Sequence, residues 1–418
     1  MSTANPEDTQ YLAPPARRGT VRSAVESLQD ALDRPLTAYY LLLGASGLLL
    51  LLGLIMVMSA SSVYSYEQND GDSYAVVLRQ LMWVSIGLPC AWIASRMPQR
   101  AVRAVAPLAY VVSLLLLVAT VFVGVRINGN QNWLAVGPVQ IQPAEIAKLA
   151  MVLWAAHVYA NKQRRLDGGL HHFVMPVVPG ILLLTLPVLA GHDLGTALVF
   201  FAILVGLLWV VGAPARLFGF ALIGVSVAAF ALAGTSPERV TRLMNFTDPM
   251  NDFHQSGWQP AHGLFALATG GWFGEGIGAS RQKWGQLPEA HTDFIFAVLG
   301  EELGLVGTLL VIGLFLTLAY AALRVARQTQ DVFVRYVTFG VVVWILGQMV
   351  INIGMVLALL PVIGIPLPLV SYGGSALVPT LVGLGLVIGF ARREPEAARA
   401  LAQRRRRSTG LAAPGRRR

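Results

Sequence analysis

The chain reads as an all-α polytopic membrane protein of about ten transmembrane helices, with a large extracytoplasmic loop between the seventh and eighth. Three observations predict this. Of 418 residues, 55% are hydrophobic and 13% charged, against about 25% charged in a soluble domain. Apolar runs of roughly 20 residues recur, each long enough to cross the hydrocarbon core as a helix. The runs are continuous, not alternating, which excludes a barrel, the other architecture that satisfies its backbone in lipid.

Residues 1–36 are polar, carry Pro14 and Pro15, and lack the apolar core of a cleavable signal peptide. They form a cytoplasmic tail, and the first span acts as its own targeting signal. The membrane domain covers residues 37–393. Its spans are expected at 38–58, 75–94, 105–125, 144–160, 173–189, 194–211, 217–233, 303–323, 334–360 and 369–390. The ninth is long enough to tilt or break. Residues 394–418 form a basic cytoplasmic tail, with Arg404 to Arg407 and Arg416 to Arg418, expected to be disordered and to anchor on anionic lipid. The single cysteine, Cys90, lies in an apolar run as a packing residue; one thiol makes no intramolecular disulfide and no metal cluster.

Net charge is +9. The basic residues cluster in alternate loops, at Arg96 to Arg103, Lys162 to Arg165, Arg216, Arg324 to Arg335, and Arg392 onward. That is the positive-inside pattern, not a nucleic-acid signal. The loops 62–73 and 361–368 carry no Lys or Arg. Both termini are therefore cytoplasmic, and loop 234–292 lies outside.

That loop is too long for a simple connector. It is rich in aromatic residues, and Gly257 to Thr269 reads as an interfacial amphipathic helix. Gly270, Gly271, Gly274, Gly276 and Gly278 follow, as a flexible turn or a substrate-fitting loop. No GxGxxG fingerprint in the right context points to a nucleotide.

Polar groups inside spans need a reason. Glu145 and Lys148 share one helical face and can pair, as a structural ion pair or as cavity lining. Arg79 can snorkel, and Asp193 suits a helix N-terminus as a cap. Gln348 and Asn352, four apart, can hydrogen-bond another helix. Ser371 to Ser375 combine small residues with a helix start, where a backbone or an anionic headgroup can approach. The chain is organised around 287–304, LPEAHTDFIFAVLGEELG, which passes from polar to apolar. Asp293 enters the bilayer there from outside, beside Glu289, His291 and Lys283. Burial and neighbouring acids would raise its pKa toward a general base, while Lys283 would lower it. Capping of the eighth span is the alternative role.

NGNQNW (128–133), QPAEIAK (142–148), DLGT (193–196), TDP (247–249), GEGIGASRQK (274–283), LPEAHTDF, EELG, NIG (352–354) and PLPLVSYGGS occur in order. Together they resemble the SEDS family of shape, elongation, division and sporulation proteins over about residues 41–393, closest to its cell-division branch. Ala261, His262 and Ala376 depart from the family pattern, which leaves loop detail open but not the aspartate. The resemblance implies a peptidoglycan glycosyltransferase of the cytoplasmic membrane and division septum that polymerises lipid II on the outer face. It implies Asp293 as the essential carboxylate, and Glu145, Lys148, Lys283, Glu289, His291, Gln348, Asn352 and Ser375 as substrate-cavity residues. It implies a class B penicillin-binding protein and other divisome membrane proteins as partners, alongside membrane lipids and without nucleic acid. The chemistry expected is an inverting displacement with Asp293 as base, and with Lys148, Lys283 or a divalent cation, Mg or Mn, at the departing pyrophosphate. The competing classes are a lipid II flippase, an elongation-type polymerase and a division scaffold. No internal repeat of the alternating-access kind is evident.

Overall fold

The computed structural model describes residues 34–127, 130–137, 139–163, 169–234, 246, 248–250, 253–254 and 257–408. The N-terminal tail to residue 33, most of loop 235–256, the threonine of TDP and the last three arginines lie outside the described residues.

The helices are α1 (Thr37–Gln68), α2 (Ala75–Arg96), α3 (Gln99–Val123), α4 (Pro143–Lys162), α5 (Leu170–Val174), α6 (Val177–Ala190), α7 (Leu194–Val211), α8 (Ala215–Ala233), α9 (Trp258–Gly270), α10 (Ile295–Gln328), α11 (Val332–Val356), α12 (Leu377–Arg393) and α13 (Pro395–Ser408). Among the described residues, eight stretches are long and apolar enough to cross a membrane: α1, α2, α3, the α5–α6 stretch, α7, α10, α11 and the α12 stretch. The chain is a multi-pass membrane protein. The fourth expected span, α4, instead carries the buried ions Glu145 and Lys148 through the bundle centre. The seventh, α8, is a 19-residue helix, and Ala215–Gly224 is its apolar stretch among the described side chains.

Boundaries shift where local chemistry intervenes. The fifth expected span is divided at Met175–Pro176 into α5 and α6. The tenth starts as an irregular segment and a 3-10 turn, Gly374–Ala376, because Pro366, Pro368, Gly373 and Gly374 resist an earlier helix. The tail expected to be disordered is helical over Pro395–Ser408.

Three short antiparallel strands, β1 (Val125–Ile127), β2 (Asn130–Val136) and β3 (Val139–Ile141), join α3 to α4 in the order β1-β2-β3. This sheet was not expected from the apolar runs. It hangs on the bundle through the Gln131 amide, which donates to the Gly191 carbonyl at 3.0 Å.

Helix packing follows the small residues. Gly385 and Gly389 of α12 press on the α2 backbone, and a Cβ at either would strike the Ala91 or Ser95 carbonyl. Tyr110 of α3 stacks on Trp154 of α4 at 4.3 Å and donates to the Gly180 carbonyl at 2.7 Å.

The longest helix is broken. Gly304 adopts φ 67, ψ −166 inside α10. A break in lipid leaves backbone groups open unless something closes them. The glycine loop after α9 does so: Glu275 and Gly276 donate to the Glu301 and Glu302 carbonyls at 2.9 and 3.0 Å. Leu305 and Val306 donate back to Gly271 and Trp272 at 2.9 and 3.1 Å. A Cβ at Gly270 or Gly274 would collide with that backbone. The glycine loop is thus a hook on the broken helix. Helix α9 forms as the sequence predicts, with Ala261 and His262 buried in it.

Candidate active site

The turn 287–294 delivers Asp293 to the start of α10. Glu289 turns the chain at φ 56, and the amides of Thr292 and Phe294 both donate to its carbonyl at 3.1 Å. Thr292 Oγ1 donates to Glu289 Oε2 at 2.6 Å. From α11, buried Asn352 Nδ2 donates to the Asp293 carbonyl at 2.8 Å and to the Ile365 carbonyl at 2.7 Å. One amide therefore ties the turn before α10 to the segment after α11. Gly364 lies against the carboxylate: a Cβ there would stand 3.3 Å from Asp293 Oδ2.

The Asp293 backbone is held, yet its carboxylate accepts no hydrogen bond from the described residues. Burial pushes its pKa up to about 7, and the charges of Glu289 and Asp193 push the same way. His291 packs its ring against Tyr64 at 4.7 Å and Tyr372 at 5.8 Å. Burial lowers its pKa, opposed by Glu289.

Asp193 contrasts with Asp293. Its Oδ1 accepts from the Thr196 amide at 2.9 Å, and its Oδ2 from Thr196 Oγ1 at 2.9 Å, Asn132 Nδ2 at 2.8 Å and Gln142 Nε2 at 3.1 Å. The cap read from the sequence is present, but the same carboxylate also gathers β2 and the start of α4. Ser375 Oγ accepts from the Gln142 amide at 3.0 Å and extends this chain to the start of α12.

Glu145 and Gln348 line a narrow cavity with Pro366 to Leu369, Ser371 and Thr380. Glu145 Oε1 accepts from Lys148 Nζ at 2.6 Å, and the buried Glu145 Oε2 has no partner among the described residues. Lys148 is shut from solvent, its ammonium 6.0 Å from the centre of the Trp344 ring.

Lys283 is placed elsewhere. Its ammonium donates to the Gly278 carbonyl at 2.7 Å, Ser59 Oγ at 3.1 Å and Glu302 Oε1 at 3.3 Å. These three contacts use its three protons. Ser59 Oγ in turn donates to Glu302 Oε1 at 2.6 Å, and Ser280 Oγ donates to Glu301 Oε2 at 2.5 Å. The pair Glu301–Glu302 thus anchors the loop, and Lys283 serves that anchor.

Tyr64, near the end of α1, meets His291, while Tyr39, near its start, lies beside Arg96 and Arg392. At about 1.5 Å per residue these tyrosines stand roughly 37 Å apart along one helix. The acids and the basic helix ends therefore sit at opposite ends of the bundle.

A family model described as "Cell cycle protein", for FtsW, RodA and SpoVE, matches residues 39–395. The chain belongs to this family. The resemblance read from the motif words is borne out. The "Probable peptidoglycan glycosyltransferase FtsW" of Mycobacterium tuberculosis is 41% identical over 373 residues, covering 88% of this chain and 71% of that protein. Stage V sporulation protein E of Bacillus subtilis is 37% identical over 348 residues, covering 82% and 94%. Among solved structures, a chain of a peptidoglycan synthase complex that coordinates polymerization and crosslinking superposes with TM-score 0.69 at 28% identity, covering 85% of this chain and 97% of that one. The rod-shape-determining protein RodA of Thermus thermophilus gives 0.62 at 29%, covering 85% and 96%.

In this FtsW/RodA/SpoVE chain, the fold gathers Asp293, Glu289, His291 and Asn352 at one turn, sets Glu145 and Gln348 on the narrow cavity, and ties Ser375 to Gln142. It bonds Lys283 to Gly278, Ser59 and Glu302 and buries Lys148 against Glu145. It adds Asp193, Asn132 and Gln142. Their sequence signal is polarity at the outer ends of apolar runs, but only folding brings Asn132 and Asp193 together.

Proposed function

We propose that this chain is a peptidoglycan glycosyltransferase that polymerises lipid II into glycan strands at the outer face of the cytoplasmic membrane, in septal wall synthesis. One observation carries the reading: a partly buried carboxylate on a fixed backbone, free of hydrogen bonds from the described residues, with a pKa near 7. A general base works best with its pKa near the operating pH. The engaged Asp193 beside it divides the labour, one acid to hold structure and one to move a proton.

The reaction is an inverting displacement. The C4 hydroxyl of one lipid II attacks the anomeric carbon of a second, and its proton passes to Asp293. The bond from that carbon to the pyrophosphate oxygen breaks, and the lipid pyrophosphate leaves with the electron pair. Such base help is worth about 10²–10⁴-fold. Glu289 and His291 border the base, and Asn352 fixes its backbone. Gln348, Glu145 and Ser371 offer polar atoms along the cavity side, and Ser375 holds the Gln142 amide beside it. Lys148 and Lys283 each pair with a buried carboxylate, and either would have to leave that partner to meet the pyrophosphate. A resident cation finds a poor donor set: among the described residues no three His, Cys, Asp or Glu side chains come together to hold a metal, and both Asp193 oxygens are engaged. Mg or Mn enters this scheme only with the pyrophosphate, as part of the substrate.

The orientation proposed places both termini and the basic helix ends in the cytoplasm and Asp293 outside, with ten spans if α4 and α8 are counted. The likeness to a chain of a polymerising and crosslinking complex supports a class B penicillin-binding protein as partner, with other divisome membrane proteins around it. Purified protein reconstituted with lipid II and no other enzyme is the test. Glycan strands support the proposal. Lipid II that changes leaflet without polymer makes the protein a flippase, and neither outcome leaves a scaffold. Septal placement of a fluorescent fusion separates the division role from an elongation-type one.

A further inference from the structure

At the end of α1 remote from Asp293, a groove of about 570 Å³ opens between α1, α2 and α12. Its volume is that of a small-molecule site. The groove exists because Gly385 and Gly389 draw α12 hard onto α2, while Leu43 of α1 stands on the other flank. Its walls are apolar and face sideways: Leu43 is 47% exposed, Leu88 49% and Trp92 60%. In a bilayer that exposure is to lipid chains, not to water.

The mouth is cationic. Arg96 lies over the Trp92 ring, 5.0 Å from its centroid, and Arg392 stands across from it on α12. Arg393 donates to the Ser95 carbonyl at 3.2 Å, and its buried Nη1 finds no partner among the described residues. Among the described residues, no acid lines the groove. The neighbouring Glu394 is hydrogen-bonded to Thr329. Paired guanidiniums without a carboxylate suit a phosphate, which they grip by paired hydrogen bonds. From Arg96 back to Leu88 the wall runs about 12 Å along the helix. A soluble anion would leave that apolar length unused; the upper part of an acyl chain fills it.

We propose that this groove is a binding site for one anionic phospholipid, its phosphate between Arg96 and Arg392 and an acyl chain along Trp92, Leu88 and Leu43. With the orientation proposed above, the lipid comes from the inner leaflet, where anionic headgroups meet basic helix ends. The bound lipid would close the seam between α1 and the α2–α12 pair, opposite the catalytic end of α1.

The test is native mass spectrometry of the full-length protein released from nanodiscs of equimolar phosphatidylglycerol and phosphatidylcholine. Wild type should retain one phosphatidylglycerol in preference to phosphatidylcholine by about tenfold or more. R96Q/R392Q should lose that preference, and R96K/R392K should keep part of it. R216Q/R327Q, which removes two exposed charges away from the groove, should keep it in full. Leu43→Trp should displace the lipid without changing charge; because Leu43 faces outward, this arm decides the matter even if R96Q/R392Q fails to fold. Equal retention of the two lipids by wild type, equal loss in both glutamine pairs, or full retention in Leu43→Trp would overturn the proposal. None of these readouts depends on polymerase activity.

Discussion

Asn352 Nδ2 donates to the main-chain carbonyl of Asp293 at 2.8 Å and, with its other proton, to that of Ile365 at 2.7 Å. The residue never needs to touch substrate to matter. Its amide sets where the turn carrying the carboxylate lies relative to the segment 357–373, and therefore where the base meets the acceptor hydroxyl. Asn352→Ala leaves two buried carbonyls unsatisfied, at about 1–3 kcal/mol each. The expected outcome is a fall in kcat of about 10²-fold with a much smaller change in KM, since misplacement by an ångström costs that much. Steady-state polymerisation rates measure the split. An increase in KM alone would place Asn352 on the substrate instead.

The protonation of Asp293 gives a pH signature. Its folded pKa, about 7, lies above the ordinary carboxylate value of 3.8. Below about pH 4 both folded and unfolded forms hold the proton. Between about 4 and 7 only the folded form does, so this group's contribution favours folding at low pH and is lost as pH rises through 7. Activity runs the other way, because the base must be ionised. Initial rates should rise with pH through a single ionisation near 7. At pH 8, Asp293→Asn should melt a few degrees above wild type, having shed a buried charge repelled by Glu289 and Asp193. A melting temperature lowered by this substitution would contradict the electrostatics.

Lys283 is predicted to be structural. Lys283→Met strips the cation from Glu302, which is fully buried. Breaking such a pair from one side costs about 3–5 kcal/mol. The double variant K283M/E302Q should recover most of that stability, and with it activity. Thermal melts paired with polymerisation assays check both. A stable Lys283→Met protein with no activity would return the lysine to the substrate.

The hook on α10 predicts that Gly304→Ala and Gly274→Ala are both poorly tolerated. Each glycine has positive φ, 67 and 78, and a Cβ at either would overlap the other's segment. Reduced membrane accumulation and rapid proteolysis in the loop are the expected outcomes. Gly276→Ala, at φ 106 with open space around it, should cost only backbone strain and lose less. Equal stability of all three variants would mean that the loop does not close the break.

How much of this was legible in the sequence follows from the range of the forces involved. Helix α7 begins and ends as expected, because Asp193 caps one end and Gly212 turns the other at φ 82, both local events. Asp293 stood out because a polar turn entering an apolar run is visible without knowing the fold. Lys283 stands ten residues before Asp293 in the sequence, but its side-chain partners, Gly278, Ser59 on α1 and Glu302 on α10, become visible only in the fold. The glycine run was ambiguous for the same reason: its partners, the Glu301 and Glu302 carbonyls, become free only once α10 breaks. The small sheet escaped notice because β1 and β3 have three residues each, too few to show alternation, although Asn128-Gly129 is a hairpin dipeptide.

The most direct measurement of the central claim compares glycan polymer made from lipid II by wild type and by Asp293→Asn, each purified, folded and reconstituted alone. Wild type is expected to make polymer, and the variant less by at least about 10²-fold, with a melting temperature no lower than that of wild type. Polymer at wild-type rates from the variant would mean that another group takes the proton.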